Sequence, residues 1–282
     1  TMLLGAARYL AETRNFAGTV HFIFQPAEEG AGGGQVMVEE GLFDRFPVEE
    51  VYGLHNMPGL AVGAFAARPG PMMAAADRLR IKVRGKGGHA AQPHKTIDPV
   101  VIGAQIVTAL QTIASRTADP IESIVVSITM FHAGSAENVI AEEALLAGTV
   151  RTFDATLRDQ AEARIKTMVP AIAAAFGGSA EVEYVRGYPA TVNHAAQVEK
   201  ALSVASRVAG AAKVDGDAAP LMGAEDFAYM LEAKPGAYLF IGAGSGEGGR
   251  NLHQVGYDFN DEILPIGASY WSQLVETVLP RQ

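Results

Sequence analysis

The sequence predicts an α/β protein interrupted by a ferredoxin-like (βαββαβ) insertion, and three observations lead there. The run "TVHFIF" at 19–24 is apolar without alternation, as expected of a strand covered on both faces. Further along, Leu79, Ile81 and Val83 alternate with Arg78, Arg80, Lys82 and Arg84, the period of a sheet with one face in water. The change of style falls at a Pro/Gly-rich stretch, "RPGPMMAAA", and a second junction, "RGYPATVN", returns the chain to its first style. The host domain is therefore read as 1–75 plus 189–282, and the insertion as 76–188.

The elements follow in order. Leu3, Ala6, Ala7 and Leu10 share one face of a helix over about 2–14. After the strand at 19–24 come a helix around 35–42, a short strand at 51–55 ("VYGLH") and a third strand in "AVGAFAA". The insertion opens with the charged-face strand. Its first helix spans 98–115, with Asp98 as N-cap and Pro99 at the first helical position. Strands at 122–131 and 144–153, a helix at 156–175 containing Pro170, and a strand at 180–185 complete the βαββαβ order. Helices at 195–209 and 224–233, the strand "AYLFIGAG" and a helix at 262–279 finish the host domain.

Composition narrows the function. Of the 282 residues 49% are hydrophobic and 19% charged, as in a globular chain with a sizeable core. A net charge of −9 argues against a nucleic-acid partner, because phosphate binding needs a basic face. There is no cysteine, so neither a disulfide framework nor a cysteine zinc site lies within these residues. No apolar run is long enough to cross a bilayer, and the opening "TMLLGAARYLAE" has neither the charged nor the apolar region of a signal peptide. These features read as a cytoplasmic protein with no membrane partner. A chain that opens inside an uncapped helix reads as one that begins within a domain.

Ligands of α/β proteins gather at the carboxyl ends of strands. Glu28 and Glu29 follow the strand at 19–24, His55 ends "VYGLH", and His253 lies in "GGRNLHQ" after the strand at 237–242. A carboxylate and two imidazoles make a zinc-type donor set. Neighbouring side chains on extended backbone point to opposite sides, so one carboxylate of the pair can bind metal while the other serves as general base. An isolated pair of glutamates is more often a solvated loop, and a single histidine is as often structural as a ligand; their shared placement is what points to a site. Two glycine-rich stretches are set aside. "GAGGGQ" (30–35) has Gln35 in place of the third glycine of a dinucleotide fingerprint, and two carboxylates stand before it. "GAGSGEGG" (242–249) lacks the P-loop lysine and the nucleophile-elbow frame, and reads as a flexible loop beside the site. The insertion holds its own polar cluster: His89 and His94 in "GKGGHAAQPH", His132 and Asn138 in "HAGSAENVI", and Arg151 in "GTVRTF".

On the motifs "TMLLGAARYL", "QPAEEGAGGG", "GLHNMP", "GKGGHAAQPH", "NVI", "GTVRTFD", "GAEDFAYM" and "NLH", the chain resembles, over essentially its whole length, the metal-dependent amidohydrolases that cleave N-acyl amino acids. These are the hippurate hydrolase, aminoacylase and indole-acetyl-amino-acid hydrolase group, related to the carboxypeptidase G type metallopeptidases. The resemblance implies a metallopeptidase-like catalytic domain with two divalent metals, zinc first and manganese, cobalt or nickel as alternatives. It also implies a homodimer formed through the ferredoxin-like insertion. Residue by residue, it makes Glu28 the general base, Glu29, His55 and His253 metal ligands, and His89 a histidine that reaches across the dimer into the partner's active site. Asn138 and Arg151 match residues that hold substrate, and Glu225 matches a recurrent acidic position. In that family a Cys-Gly-His motif just before the "TMLLGAAR" helix supplies further ligands, including the bridging one. This sequence starts at Thr1, so the resemblance implies an N-terminally truncated chain with an incomplete site, metal-poor and inactive as it stands. A dipeptidase of the same clan, and a non-catalytic ligand-binding or dimerisation fragment, are the alternative readings.

Overall fold

In the computed structural model, which describes residues 1–245 and 251–281, the first element is helix α1 (Met2–Thr13). It buries Ala6 and Leu10 from the predicted face, and Arg14 closes it in the left-handed conformation with its N–H on the Leu10 carbonyl. The strand expected at 19–24 does not form. Its residues make no ladder, and Phe24 is 58% exposed. Strand character belongs to a pair of segments and not to one, because each backbone group needs a neighbour's partner group. Among the described residues no strand pairs with this run, and Val20 and Phe22 instead line a groove with Ala7 and Leu10 of α1. The helix expected at 35–42 is divided into α2 (Gly33–Glu39) and α3 (Leu42–Arg45), because Gly41 takes φ +82° between them. Strand β1 (Val51–Pro58) follows. The strand read in "AVGAFAA" shrinks to β2 (Phe65–Ala66), since Ala61 to Ala64 close a turn with Gly63 at φ +69°. Strand β3 (Gly70–Met73) ends this part.

The insertion is built as predicted. Strand β4 (Ala75–Arg84) buries Leu79, Ile81 and Val83 and exposes Arg78, Arg80 and Arg84. Strand β5 (Gly88–His89) is short. In α4 (Pro99–Thr112) the Asp98 carboxylate accepts from the Val100 N–H, and a π-helical turn extends the helix over Ile113–Thr117. After β6 (Ile124–Ala133), β7 (Val139–Ile140) and β8 (Glu143–Thr152), helix α5 (Ala155–Ala175) starts on an Asp154 cap and runs through Pro170 to β9 (Ser179–Arg186). The four long strands pair antiparallel in the order β6-β8-β4-β9, which is the ferredoxin-like order. Their apolar face packs on Ile102, Ile106 and Leu110 of α4 and on Ala161, Ile165 and Val169 of α5. Within the insertion Asp77, 1% exposed, accepts from the buried Arg158 guanidinium, the Tyr184 hydroxyl at 2.6 Å and the Gly187 N–H at 3.1 Å.

The chain then adds β10 (Thr191–Asn193), α6 (Ala195–Ala209), β11 (Val214–Asp215), α7 (Ala228–Ala233), β12 (Gly236–Gly244) and α8 (Ile263–Val278). The helix expected from 224 begins only at 228, because the Glu225 carboxylate accepts from the Phe227 N–H and holds the preceding residues in a turn. A sheet forms in the order β1-β12-β2-β11, with β1 and β12 parallel, and β10 pairs with β3. Seven residues of β12 are buried in succession. Ala237, Leu239 and Ile241 pack with Phe65, with Val198, Ala201 and Val204 of α6, and with Tyr270 and Leu274 of α8. The chain thus divides into one unit of Thr1–Met72, Thr191–Leu221 and Glu225–Gln282, and another of Met73–Ala190 with Met222–Ala224. Among the described residues no helix is long and apolar enough to cross a membrane.

Candidate active site

Glu28 and Glu29 sit on a turn that closes on itself. A Cβ on Gly33 would stand 1.8 Å from the Pro26 carbonyl oxygen, so only glycine lets the two ends of the turn meet. Between them Ala27 takes φ +55°, Gly30 +93° and Gly32 +68°, and the Gly30 N–H donates to the Glu28 carbonyl at 2.5 Å. This geometry accounts for the glycine run that resembles a dinucleotide fingerprint. It also gives the two glutamates different surroundings: Glu28 is half-buried, while the Glu29 side chain is 76% exposed.

Glu28 faces two buried acids that follow one another in the chain. One carboxylate oxygen from each of Glu28, Glu225 and Asp226 lies within 4.8 Å of the others. Glu225 accepts from the Tyr238 hydroxyl at 2.5 Å, and Asp226 accepts from the Gly34 N–H at 2.7 Å and from the Gln25 side-chain amide. Burial first, and then the charges of Glu225, Glu29 and Asp226, push the Glu28 carboxyl up to about 7. Burial also raises Asp226, against the opposing Gly34 hydrogen bond, and holds the Tyr238 phenol well above its ordinary value, so Tyr238 remains a donor. Tyr238 itself is fixed from two sides. Its N–H donates to the Asn193 side chain at 2.6 Å and its carbonyl accepts from the Asn193 amide at 2.9 Å. Its ring lies over Gly53 of β1, where a Cβ would come within 2.4 Å of it.

Two of the host unit's histidines, His55 and His253, were expected at the site. Strand β1 runs on to Pro58 and does not end at His55 as expected; His55, the fifth of its eight residues and opposite Phe240 of β12, places Nδ1 2.6 Å from the Asn56 carbonyl. A carbonyl only accepts, so Nδ1 carries the proton and Nε2 keeps its lone pair, the tautomer that ligates metals. His253 stands 3.7 Å from Glu29, and its side chain is 73% exposed. Its φ of +62° is costly for a residue with a Cβ. Of the three non-glycine residues with positive φ among those described, Arg14 caps a helix and the other two, Ala27 and His253, flank this site. The structure thus brings Glu29 to His253 and Glu28 to Glu225 and Asp226. His55 adjoins the second group through Tyr238, whose ring it meets edge-on at 6.2 Å. Among the described residues, the three side chains close enough to hold one ion together are Glu28, Glu225 and Asp226, and the expected set of Glu29, His55 and His253 is not drawn together as such a group.

In the other unit, β5 and β7 pair His89 with Val139, and the Ala90 N–H donates to the Asn138 carbonyl at 2.9 Å. His89 and Asn138 are therefore neighbours. The Ala91 N–H donates to Nδ1 of His89 at 3.1 Å, so the neutral ring carries its proton on Nε2. This is the opposite tautomer from His55: His89 offers a proton on Nε2 where His55 offers a lone pair. Arg151 stands on β8 between Ala76 of β4 and Val125 of β6, with its guanidinium on the Thr149 hydroxyl. His94 falls in a short turn at Pro93–Lys95 and His132 is exposed on β6. The "GAGSGEGG" loop runs into residues 246–250, which lie outside the described residues.

Sequence reasoning passed over Asp226 and Tyr238. Asp226 had a signal, since it is the neighbour of Glu225 in "GAEDF". Tyr238 is masked by the apolar strand that contains it.

The chain is similar to known proteins over nearly its whole length. The pattern of the family described as peptidase family M20/M25/M40 matches residues 1–277. The hippurate hydrolase of Campylobacter jejuni is 39% identical over 97% of this chain and 70% of its own length. Thermostable carboxypeptidase 2 of Saccharolobus solfataricus is 36% identical over 95% of this chain and 68% of its own. The N-acetyl-L-cysteine deacetylase of Bacillus subtilis is 38% identical over 95% of this chain and 63% of its own. The crystal structure of the YXEP protein of Bacillus subtilis, a dinuclear metal-binding peptidase from the M20 family, superposes with a TM-score of 0.81 at 32% identity, covering 99% of this chain and 70% of that one.

The close approach at Gly53 yields a test of the scaffold. Gly53→Ala drives the Tyr238 ring off its seat, so overpacking lowers stability by about 1–3 kcal/mol. Urea unfolding followed by circular dichroism measures it. A variant as stable as the native chain contradicts the locked position of Tyr238.

Proposed function

The chain belongs to peptidase family M20/M25/M40 and is an amide-hydrolysing enzyme, and on that premise we propose that it cleaves the amide bond of N-acyl amino acids. The observation that carries this reading is the glutamate turn, in which one carboxylate is half-buried among acids and its neighbour is exposed beside His253. Glu29, His55 and His253 would hold divalent metal, with zinc as the first choice and manganese, cobalt or nickel as alternatives. When bound, the metal supplies Lewis-acid polarisation of the carbonyl and makes water more acidic. A metal pair, as the family resemblance implies, needs more donors than these three.

The chain's own residues do the proton work. Glu28 takes a proton from the attacking water and returns it to the leaving amine. His89 of the partner subunit, with its proton on Nε2, donates to the oxyanion that develops on the carbonyl. Asn138 and Arg151 hold the substrate's polar groups. N-acyl amino acids are favoured over longer peptides by the relatives named hippurate hydrolase and N-acetyl-L-cysteine deacetylase.

The role of His89 in trans requires a homodimer, and the surface of the insertion supports one. β6 is an outer strand of its sheet, and its second half exposes Met130 (51%) and Phe131 (38%). An open apolar strand edge is a pairing site. The opposite edge, β9, is instead studded with paired charges such as Arg84–Glu181 and Arg80–Glu183. Sedimentation at micromolar concentration is expected to give a dimer; a monomer removes the dimer and, with it, the role of His89.

For the chemistry, Glu28→Gln in the metal-loaded enzyme lowers turnover of N-acetyl, N-benzoyl or indole-acetyl amino acids by about 10²–10⁴-fold, with metal content unchanged. Elemental analysis alongside kinetics checks it. Loss of metal from Glu28→Gln but not from Glu29→Gln would show that the two roles are reversed.

A further inference from the structure

Asp226 is 0% exposed and, among the described residues, it pairs with no lysine or arginine. A carboxylate taken out of water without a cation is expensive unless neutral donors replace the solvent. Beside the hydrogen bond it shares with Glu225, two donors reach it, both from the glutamate turn. The Gln25 side-chain amide reaches it from just before Pro26, and the Gly34 N–H reaches it at 2.7 Å from the first turn of α2. Gly34 is shaped for this contact. A Cβ there would stand 2.9 Å from the Asp226 carbonyl oxygen and 3.1 Å from its Cγ.

We propose that Asp226 is a positioning residue for the glutamate turn: one buried carboxylate clamps the entry and exit of the segment that presents Glu28 and Glu29. The turn needs such a clamp. It contains Ala27 at φ +55° and is closed by the Pro26–Gly33 approach, and a strained backbone persists only where its surroundings hold it. Both Asp226 oxygens are engaged by the turn, which suits holding. The clamp is itself anchored, because the preceding residue, Glu225, accepts from Tyr238 of the buried strand β12, and Asn193 fixes Tyr238. The consequence for catalysis rests on the reading of Glu28 as general base. The clamp itself rests only on the hydrogen bonds.

Three variants of the metal-loaded enzyme test it: Asp226→Leu, which removes both acceptors; Asp226→Asn, which keeps one for Gly34 and lets Gln25 turn its amide to suit; and Gln25→Met, a half-buried position whose change leaves folding intact. Hydrogen exchange at the Gly34 amide and steady-state kinetics are read together. Asp226→Leu should speed exchange at Gly34 and lower kcat by about 10²-fold with KM little changed, since a misplacement of about 1 Å costs that much. Asp226→Asn should restore kcat to within about tenfold of native, and Gln25→Met should fall between the two. Native-like exchange in both Asp226→Leu and Gln25→Met overturns the clamp. So does an Asn variant as damaged as the Leu variant, which assigns the effect to charge. Faster exchange with undiminished kcat confirms the clamp and refutes Glu28 as the base.

Discussion

In the parallel pairing of β1 with β12, Gly53 lies opposite Tyr238 and His55 opposite Phe240. That register is the constraint on which the candidate site depends. It puts a residue without a side chain under the Tyr238 ring, so the ring can lie flat and its hydroxyl can reach Glu225. Two residues further along β1, it sets His55 opposite Phe240 and on the same face as Gly53. A slip of one residue would set a bulky neighbour against Tyr238 and turn His55 to the other face. The run of buried residues in β12, packed between α6 and α8, adds burial to the ladder hydrogen bonds that hold this register.

From that pair the site is assembled outward through hydrogen bonds that each satisfy a buried polar group. Asn193 holds both backbone groups of Tyr238, Tyr238 donates to Glu225, and Asp226 grips the glutamate turn. The fold accepts a cost here. Burial first, and then the neighbouring charges of Glu225, Glu29 and Asp226, make Glu28 hold its proton above the ordinary glutamate range. Local conflict of this kind is expected where a sequence serves chemistry at the expense of stability. The two histidine tautomers fit the same view: backbone contacts leave His55 a lone pair to offer and His89 a proton.

Much of this was legible in the residues. The alternation from Leu79 to Val83, the Asp98–Pro99 start of α4 and the βαββαβ order predicted the insertion, because local pattern and burial agree there. The glutamate pair was legible for its place between an apolar run and a glycine run. The strand at 19–24 was misread, because an apolar run shows readiness to pair and not the presence of a partner. Asp226 was hidden for a related reason. Its meaning lies in contacts to Gln25 and Gly34 at the other end of the chain, and no local period announces them.

The central claim is that the two glutamates divide the work, Glu29 with the histidines on metal and Glu28 on protons. Anomalous diffraction at the zinc edge from crystals of the zinc-loaded protein tests it most directly. The account predicts a peak within bonding distance of Glu29, His253 and Nε2 of His55, with the Glu28 carboxylate outside its coordination. A sole peak held by Glu28, Glu225 and Asp226 would contradict it.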